Sequence, residues 1–90
     1  MRVETRVVCA ANRDKESGLI VIGLRHFDQF MRDQMNRIKG PRWAASEQGF
    51  IDQNGTFLTR EEALEIATRE GQIVRRCGGD ERKLFSENLY

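Results

Sequence analysis

The stretch EQGFIDQNGTFLTREEALEIA, residues 47–67, contains the two clearest structural signals in the chain. Its Asn54-Gly55 pair, with apolar residues on both sides, predicts a tight turn between two short antiparallel strands. Directly after this hairpin, Thr59 and Glu62 have the three-residue spacing of a capping box, which predicts the start of a helix. The buried stripe of that helix is predicted to contain Ala63, Ile66 and Ala67.

The sequence after this helix predicts an ordered C-terminus. Gly71 suits the left-handed position that follows a helix, and QIVRRC at residues 72–77 predicts a short strand or an extended segment. CGGDER, residues 77–82, predicts a flexible turn. The apolar residues beyond it are expected to seal the sheet or the helix layer, and they are Leu84, Phe85, Leu89 and Tyr90.

The N-terminal half predicts two more strands and another helix. Residues 2–11 alternate with a period of two and predict a strand, and residues 12–18 predict a hairpin loop. The continuous apolar run at 19–24 predicts a strand covered on both faces. A helix is then expected between an Asp28 N-cap and Gly40-Pro41. Its apolar residues at helical spacing are Phe27, Phe30, Met31, Met35 and Ile38.

These signals together predict one α+β domain over residues 1–90. We expect a small, mostly antiparallel β-sheet flanked by two α-helices, with the C-terminal segment docked on the sheet. A chain of 90 residues buries only about 60–65% of the surface that its unfolded form exposes. Self-association would therefore stabilise it.

The composition excludes several classes of protein. Fifteen Lys and Arg against fourteen Asp and Glu argue against a dedicated binder of long nucleic acids, which is usually far more basic. One histidine and two distant cysteines do not form a zinc motif, so no metal or other cofactor is predicted. Cys9 and Cys77 are interpreted as reduced thiols of a cytoplasmic protein. No apolar run has the length of a membrane span.

Cations and aromatics at the ends of the predicted elements are the candidate site residues. Arg25 and His26 lie where a strand gives way to a helix, a common position for ligand contacts. Arg60, just inside the second helix, opposes the helix dipole, a cost that a bound anion would remove. Each has a structural alternative, which is a surface arginine or a histidine bonded to backbone.

Further candidates come from the linker, the hairpin and the C-terminal region. Trp43 could stack on a flat ring or cover an edge of the core, and Phe50 could contact a ligand or belong to the core. Arg75 and Lys83 belong to the local positive charge near the C-terminus. Arginine forks suit phosphate and aromatic faces suit a base, so the set predicts a pocket for a phosphorylated, nucleotide-like ligand. No catalytic constellation is predicted.

The order of five motifs resembles a known family. The motifs are VVCAAN at 7–12, GLRHFD at 23–28, the stretch at 47–67, GQI at 71–73 and KLFSENLY at 83–90. Together they resemble the first-described type of Thoeris anti-defence proteins, which are phage-encoded sponges for cyclic ADP-ribose isomers. The resemblance spans nearly the whole chain.

This resemblance implies a non-enzymatic protein of the infected bacterial cytoplasm that binds glycocyclic ADP-ribose and sequesters it without cleavage. It also implies a homodimer, in some relatives a hexamer that also holds cyclic oligonucleotides, with pockets formed where two protomers meet. The matching positions imply ligand-binding roles for Arg25, His26, Phe50, Thr59, Arg60 and Arg75.

Two other functions remain open from the residues themselves. One is a small enzyme acting on nucleotide or ADP-ribosyl bonds, with His26 or a helix glutamate as acid or base. The other is a protein-binding inhibitor whose arginines and aromatics form an interface.

Overall fold

A computed structural model describes residues 5–76 and 82–89 of the chain. Its four strands form an antiparallel sheet in the order β2-β1-β3-β4, and two α-helices accompany the sheet, which confirms the predicted α+β class. The strands are β1 Val7–Arg13, β2 Ile20–Gly23, β3 Glu47–Asp52 and β4 Phe57–Thr59. The helices are α1 Gln29–Arg37 and α2 Arg60–Arg69, with short 3-10 turns at Trp43–Ala45 and Ser86–Asn88. The start of the predicted first strand, Cys77, most of the predicted 77–82 turn and Tyr90 lie outside the described residues.

The hairpin and capping signals between residues 47 and 67 are confirmed. β3 and β4 pair as antiparallel neighbours, and Gly55 has a φ of 80°, the left-handed conformation that favours glycine. The Thr59 hydroxyl accepts a hydrogen bond from the Glu62 amide at 3.1 Å, and the Glu62 carboxylate accepts one from the Thr59 amide at 2.9 Å. This reciprocal pair satisfies two amides that the first turn of α2 would otherwise leave unbonded.

The prediction that the second strand is covered on both faces is wrong for one face. Val21 is fully buried, but Ile22, on the opposite face, borders an apolar groove, and Leu24, at the end of the apolar run, is 68% exposed. β2 is also an edge strand of the sheet. The outward backbone of Ile22 is instead satisfied by Gln34 of α1, whose side chain accepts from the Ile22 amide and donates to its carbonyl. An apolar run therefore marked a strand whose outer edge is closed by a side-chain amide.

The first helix begins as predicted but ends earlier and turns a different face to the core. Asp28 is its N-cap, while its C-cap is Ile38, before the predicted Gly40-Pro41 stop. Met31 is fully buried. Phe30 is 63% exposed, so the expectation that it belongs to the buried stripe is wrong. Adjacent helix positions point about 100° apart, so burying Met31 turns Phe30 outward.

The core lies between the sheet and the helices and includes the C-terminal segment. Leu84 is fully buried, and its amide donates to the Arg60 carbonyl at 3.1 Å. The predicted docking is confirmed, in the form of a coil with a 3-10 turn. Residues 72–76 form no strand, and the Val74 amide donates to the Asn88 carbonyl of this turn. The buried hydrophobic cluster consists of Val7, Ala10, Val21, Met31, Trp43, Phe50, Leu58, Ala63, Ala67 and Leu84.

In the described part of the chain, no helix combines the length and the apolar character needed to cross a membrane.

Candidate functional site

A short loop between β2 and α1, residues 24–28, presents two of the predicted site residues. The Asp28 carboxylate accepts hydrogen bonds from the amides of Leu24 at 2.9 Å, Arg25 at 3.1 Å and Met31 at 2.8 Å. Partial burial of this carboxylate acts to raise its pKa, but the backbone amides outweigh that effect, and the pKa of Asp28 lies below its ordinary value. One ionised side chain thus fixes both the loop and the start of the helix.

The same loop contains a strained residue. Phe27 has a φ of 59°, which a bulky side chain rarely adopts and which costs about 1–3 kcal/mol. Its amide contacts the Met31 sulfur at 3.2 Å. Strained backbone of this kind concentrates at functional sites, where surrounding contacts hold it in place. The strain lies directly after Arg25 and His26.

His26 lies against the sheet, and one hydrogen bond determines which of its ring nitrogens carries the proton. Its Nε2 is 2.7 Å from the Gly49 carbonyl, and its ring meets Phe50 edge-on at 5.2 Å between centroids. A carbonyl oxygen only accepts, so Nε2 must carry the proton. Burial, followed by the nearby positive charge of Arg60, lowers the pKa of His26, although Gly49, Glu87 and Asp28 oppose this. His26 is therefore neutral near pH 7, with Nδ1 unprotonated.

Arg60, the first residue of α2, has part of its guanidinium unsatisfied. Its Nη2 donates to the Gln48 side chain at 2.5 Å, and its central carbon lies 5.4 Å from the centre of the Phe85 ring. Its Nε is buried and has no acceptor in the described part of the chain. No described carboxylate forms an ion pair with Arg60. A bound anion would supply the acceptor that this group lacks.

Arg25 joins the loop to the C-terminal turn. This half-buried side chain donates from Nη1 to the Ser86 carbonyl at 2.7 Å. The basic cluster, defined as Arg25, His26 and Arg60, therefore combines residues from the β2–α1 loop and from α2 around one turn near the C-terminus.

The remaining predicted site residues lie in three different settings. Thr59 precedes Arg60, but its hydroxyl already accepts the helix-capping bond. Phe50 is fully buried and Trp43 is 9% exposed. Both rings fill the core, so the predicted stacking on a ligand has no exposed aromatic face at either position. Phe50 instead supports His26 from behind.

Arg75 and Lys83 are exposed, and no described side-chain contact joins either of them to the basic cluster. Arg75 borders a groove of about 320 Å³ beside Thr68 and Gly71, at the C-terminal end of α2. The carbonyl end of a helix disfavours anions, which makes this groove a poor phosphate site. The backbone of Arg75 nevertheless bonds to Asn88, so it helps to hold the C-terminal turn.

Sequence reasoning missed the groups that organise the cluster. Gln48 and Ser86 enter through long-range contacts, and Ser86 contributes only its backbone carbonyl. Nothing in their residue types indicated these roles. Phe85 was predicted to be an apolar anchor, and its position beside the Arg60 guanidinium adds a cation–π contact.

A second surface feature lies next to the loop. The apolar face, defined as Cys9, Ile22, Gly23, Leu24 and Phe30, borders a groove of about 370 Å³. Burial raises the pKa of the Cys9 thiol, which disfavours the reactive thiolate. This face offers no charged group for an anion.

The fold and the basic cluster define a small α+β protein with an arginine-rich candidate binding site. In the described part of the chain, no group of His, Cys, Asp and Glu side chains could hold a metal ion. The chain belongs to the phage T4 y16D protein family, whose pattern it matches over residues 6–90. It is therefore a protein of a phage family. Comparison with curated proteins and with solved structures gave no match.

Proposed function

We propose that the protein is a phage anti-defence sponge. It binds a cyclic ADP-ribose isomer, glycocyclic ADP-ribose, and sequesters it uncleaved in the infected cell's cytoplasm, so that Thoeris immune signalling is blocked. Membership of a phage family supports this proposal, as does the resemblance carried by GLRHFD at 23–28 and KLFSENLY at 83–90.

The observation that carries the proposal is the unsatisfied guanidinium of Arg60 inside the basic cluster. Arg60 has a buried Nε with no described acceptor and no described ion pair, while His26 and Phe85 lie close to it. A diphosphate provides charged acceptor oxygens at a spacing that arginine forks match well. Near-neutral net charge suits a compact ligand of this kind better than a long nucleic acid.

The chemistry of the cluster favours binding over turnover. The one proton of neutral His26 is committed to the Gly49 carbonyl, and none of its described hydrogen bonds involves a carboxylate that could relay a proton. The structure around it is also rigid, because Asp28 holds the loop through three amides. Such an arrangement suits a preorganised binder.

The proposed assembly is a homodimer, or a hexamer built from it, in which a second copy completes the pocket. The small size of the chain supports this part of the proposal, since association adds buried surface to a domain that has little.

Isothermal titration calorimetry with cyclic ADP-ribose isomers tests the proposal. We expect a dissociation constant near or below about 10 nM for one isomer, because a sponge must hold its signal below the receptor's threshold. Heating the complex until the protein denatures should then release ligand of unchanged mass. Absence of binding to every isomer, or recovery of altered ligand, would contradict the proposal.

Arg60→Ala is the matched test of the site, with Arg32→Ala as its control. Arg32 is an exposed residue of α1 whose described side-chain bond goes to Gln29. We expect Arg60→Ala to weaken binding about thirtyfold, or about 2 kcal/mol, because a charge-assisted contact is lost, and Arg32→Ala to leave it unchanged. Equal affinities for the two variants would exclude Arg60 from the site.

A further inference from the structure

We infer that His26 selects ligands that carry a hydroxyl group beside their phosphate, by accepting a hydrogen bond from that hydroxyl at Nδ1. This inference rests on the proposed function, since it assumes that the basic cluster binds a phosphorylated ligand. It adds a way for the site to distinguish phosphorylated ligands that carry a hydroxyl from simple anions. Anions without a neighbouring hydroxyl bind only to the arginine part of the site.

The Gly49 carbonyl determines which nitrogen is available. Because it accepts from Nε2 at 2.7 Å, the single proton of the neutral ring lies there, and Nδ1 has a lone pair. Nδ1 makes no hydrogen bond to any described residue. Gly49 is held between two neighbouring strands, because it pairs with Ala11 of β1 and with Thr59 of β4. The sheet thus holds the Gly49 carbonyl in place, which keeps the proton on Nε2 and leaves Nδ1 as an acceptor.

The charges around His26 determine which part of the ligand His26 and Arg60 can each bind. Arg60 favours the neutral ring, and Glu87 and Asp28 favour the charged ring, but burial decides for the neutral form. A neutral imidazole acceptor does not attract a phosphate oxygen, because both present lone pairs. Phosphate therefore goes to Arg60, and the Nδ1 side is left for a donor such as a sugar hydroxyl.

The variant His26→Gln tests this division. A glutamine side chain places an amide donor near the position of Nε2, so it keeps the bond to Gly49 while it removes the acceptor at Nδ1. Calorimetry with the tightest-binding cyclic ADP-ribose isomer measures the complete ligand. Competition by sodium sulfate measures the anion contact alone, since sulfate has no hydroxyl donor at neutral pH.

We expect His26→Gln to weaken binding of the cyclic isomer about tenfold and to change the competing strength of sulfate less than twofold. An unchanged affinity for the isomer, or a parallel loss for sulfate, would overturn the inference while the sponge proposal stands. Absence of isomer binding by the unaltered protein would overturn both.

If His26→Gln does not fold, the unaltered protein provides the measurement. Acidification through the pKa of folded His26, which lies below its ordinary value, protonates the ring and converts Nδ1 into a donor, while the diphosphate keeps its charge. We then expect weaker binding of the cyclic isomer together with equal or stronger competition by sulfate. Stronger binding of both at low pH would show that His26 meets the anion itself, which contradicts the inference.

Discussion

Leu24 and Arg25 are consecutive in the chain but contribute to two opposite kinds of surface. Leu24 is 68% exposed and belongs to the apolar face, where no described contact fixes its side chain. Arg25 is half-buried and donates to the Ser86 carbonyl, so its position depends on a segment far away in the sequence. Arg25 is therefore held by a long-range bond, whereas Leu24 is carried outward by the end of β2.

This difference has an energetic consequence. The basic cluster shares its supports with the fold, because the turn that accepts from Arg25 is continuous with Leu84 in the core. On the apolar face, Leu24 and Phe30 are largely exposed. Substitutions that release the cluster's supports should therefore affect both stability and binding, while substitutions at these two exposed positions should affect neither.

The largest expected effect separates two leucines. Leu84→Ala removes a fully buried side chain, and we expect a loss of about 3 kcal/mol in the free energy of unfolding from lost burial and the cavity left behind. Leu24→Ala removes an exposed side chain and should change stability by less than about 0.5 kcal/mol. Urea denaturation measures both. Similar losses for the two variants would mean that the apolar face is covered, for instance by a second copy.

A smaller effect is expected from the loop that separates the two surfaces. Asp28→Ala leaves the amides of Leu24, Arg25 and Met31 without their shared acceptor, and we expect a loss of about 2 kcal/mol in the free energy of unfolding. The control is Asp33→Ala, which removes an exposed carboxylate of α1 whose described bond goes to the Gln29 side chain.

Asp28→Ala should also weaken ligand binding, because the loop that presents Arg25 and His26 loses its organising group. The stabilisation by Asp28 is present above the pKa of the unfolded side chain, about 3.9, and is lost as the pH falls through the lower folded value. Urea denaturation and calorimetry at pH 7 compare the two variants. If Asp28→Ala and Asp33→Ala behave alike in both measurements, Asp28 does not organise the loop.

The elements that could be predicted from sequence are those specified by local chemistry. Asn54-Gly55, the Thr59–Glu62 box and the Asp28 cap each act within a few residues, and all three were found in place. The failures depend on tertiary position instead. An apolar run cannot show that its strand lies at the edge of a sheet, because the same residue types suit a covered strand and a strand closed by Gln34.

The candidate site divides in the same way. The position of Arg25, His26 and Arg60 at element ends predicts a shared site, and the structure places His26 near Arg60 and bonds Arg25 to the C-terminal turn. The ring chemistry of Phe50 and Trp43 predicts ligand contacts, and only packing reveals that they belong to the core. A flat hydrophobic ring suits a ligand and a core equally well, so residue type alone could not decide between them.

The smallest expected effect concerns the pH dependence of stability, and it distinguishes the buried ring from the exposed carboxylates. The pKa of His26 is lower in the folded protein than in the unfolded chain, where it is about 6.5. Between the two values the unfolded state binds more protons, so stability is complete above about pH 6.5 and falls as the pH drops towards the folded value.

We expect the free energy of unfolding of the unaltered protein to fall by at most about 1.4 kcal/mol between pH 7.5 and 5.5, the limit for one group with an unfolded pKa of about 6.5, and that of His26→Gln to fall by a smaller amount. Exposed carboxylates contribute little over this range, because their ordinary pKa values lie near 4. The difference between the two urea denaturation series therefore isolates the imidazole. If the two proteins lose equal stability, the pKa of His26 is the same in the folded and unfolded states. The ring is then not enclosed by the fold, and the basic cluster is no better shielded from water than the apolar face beside it.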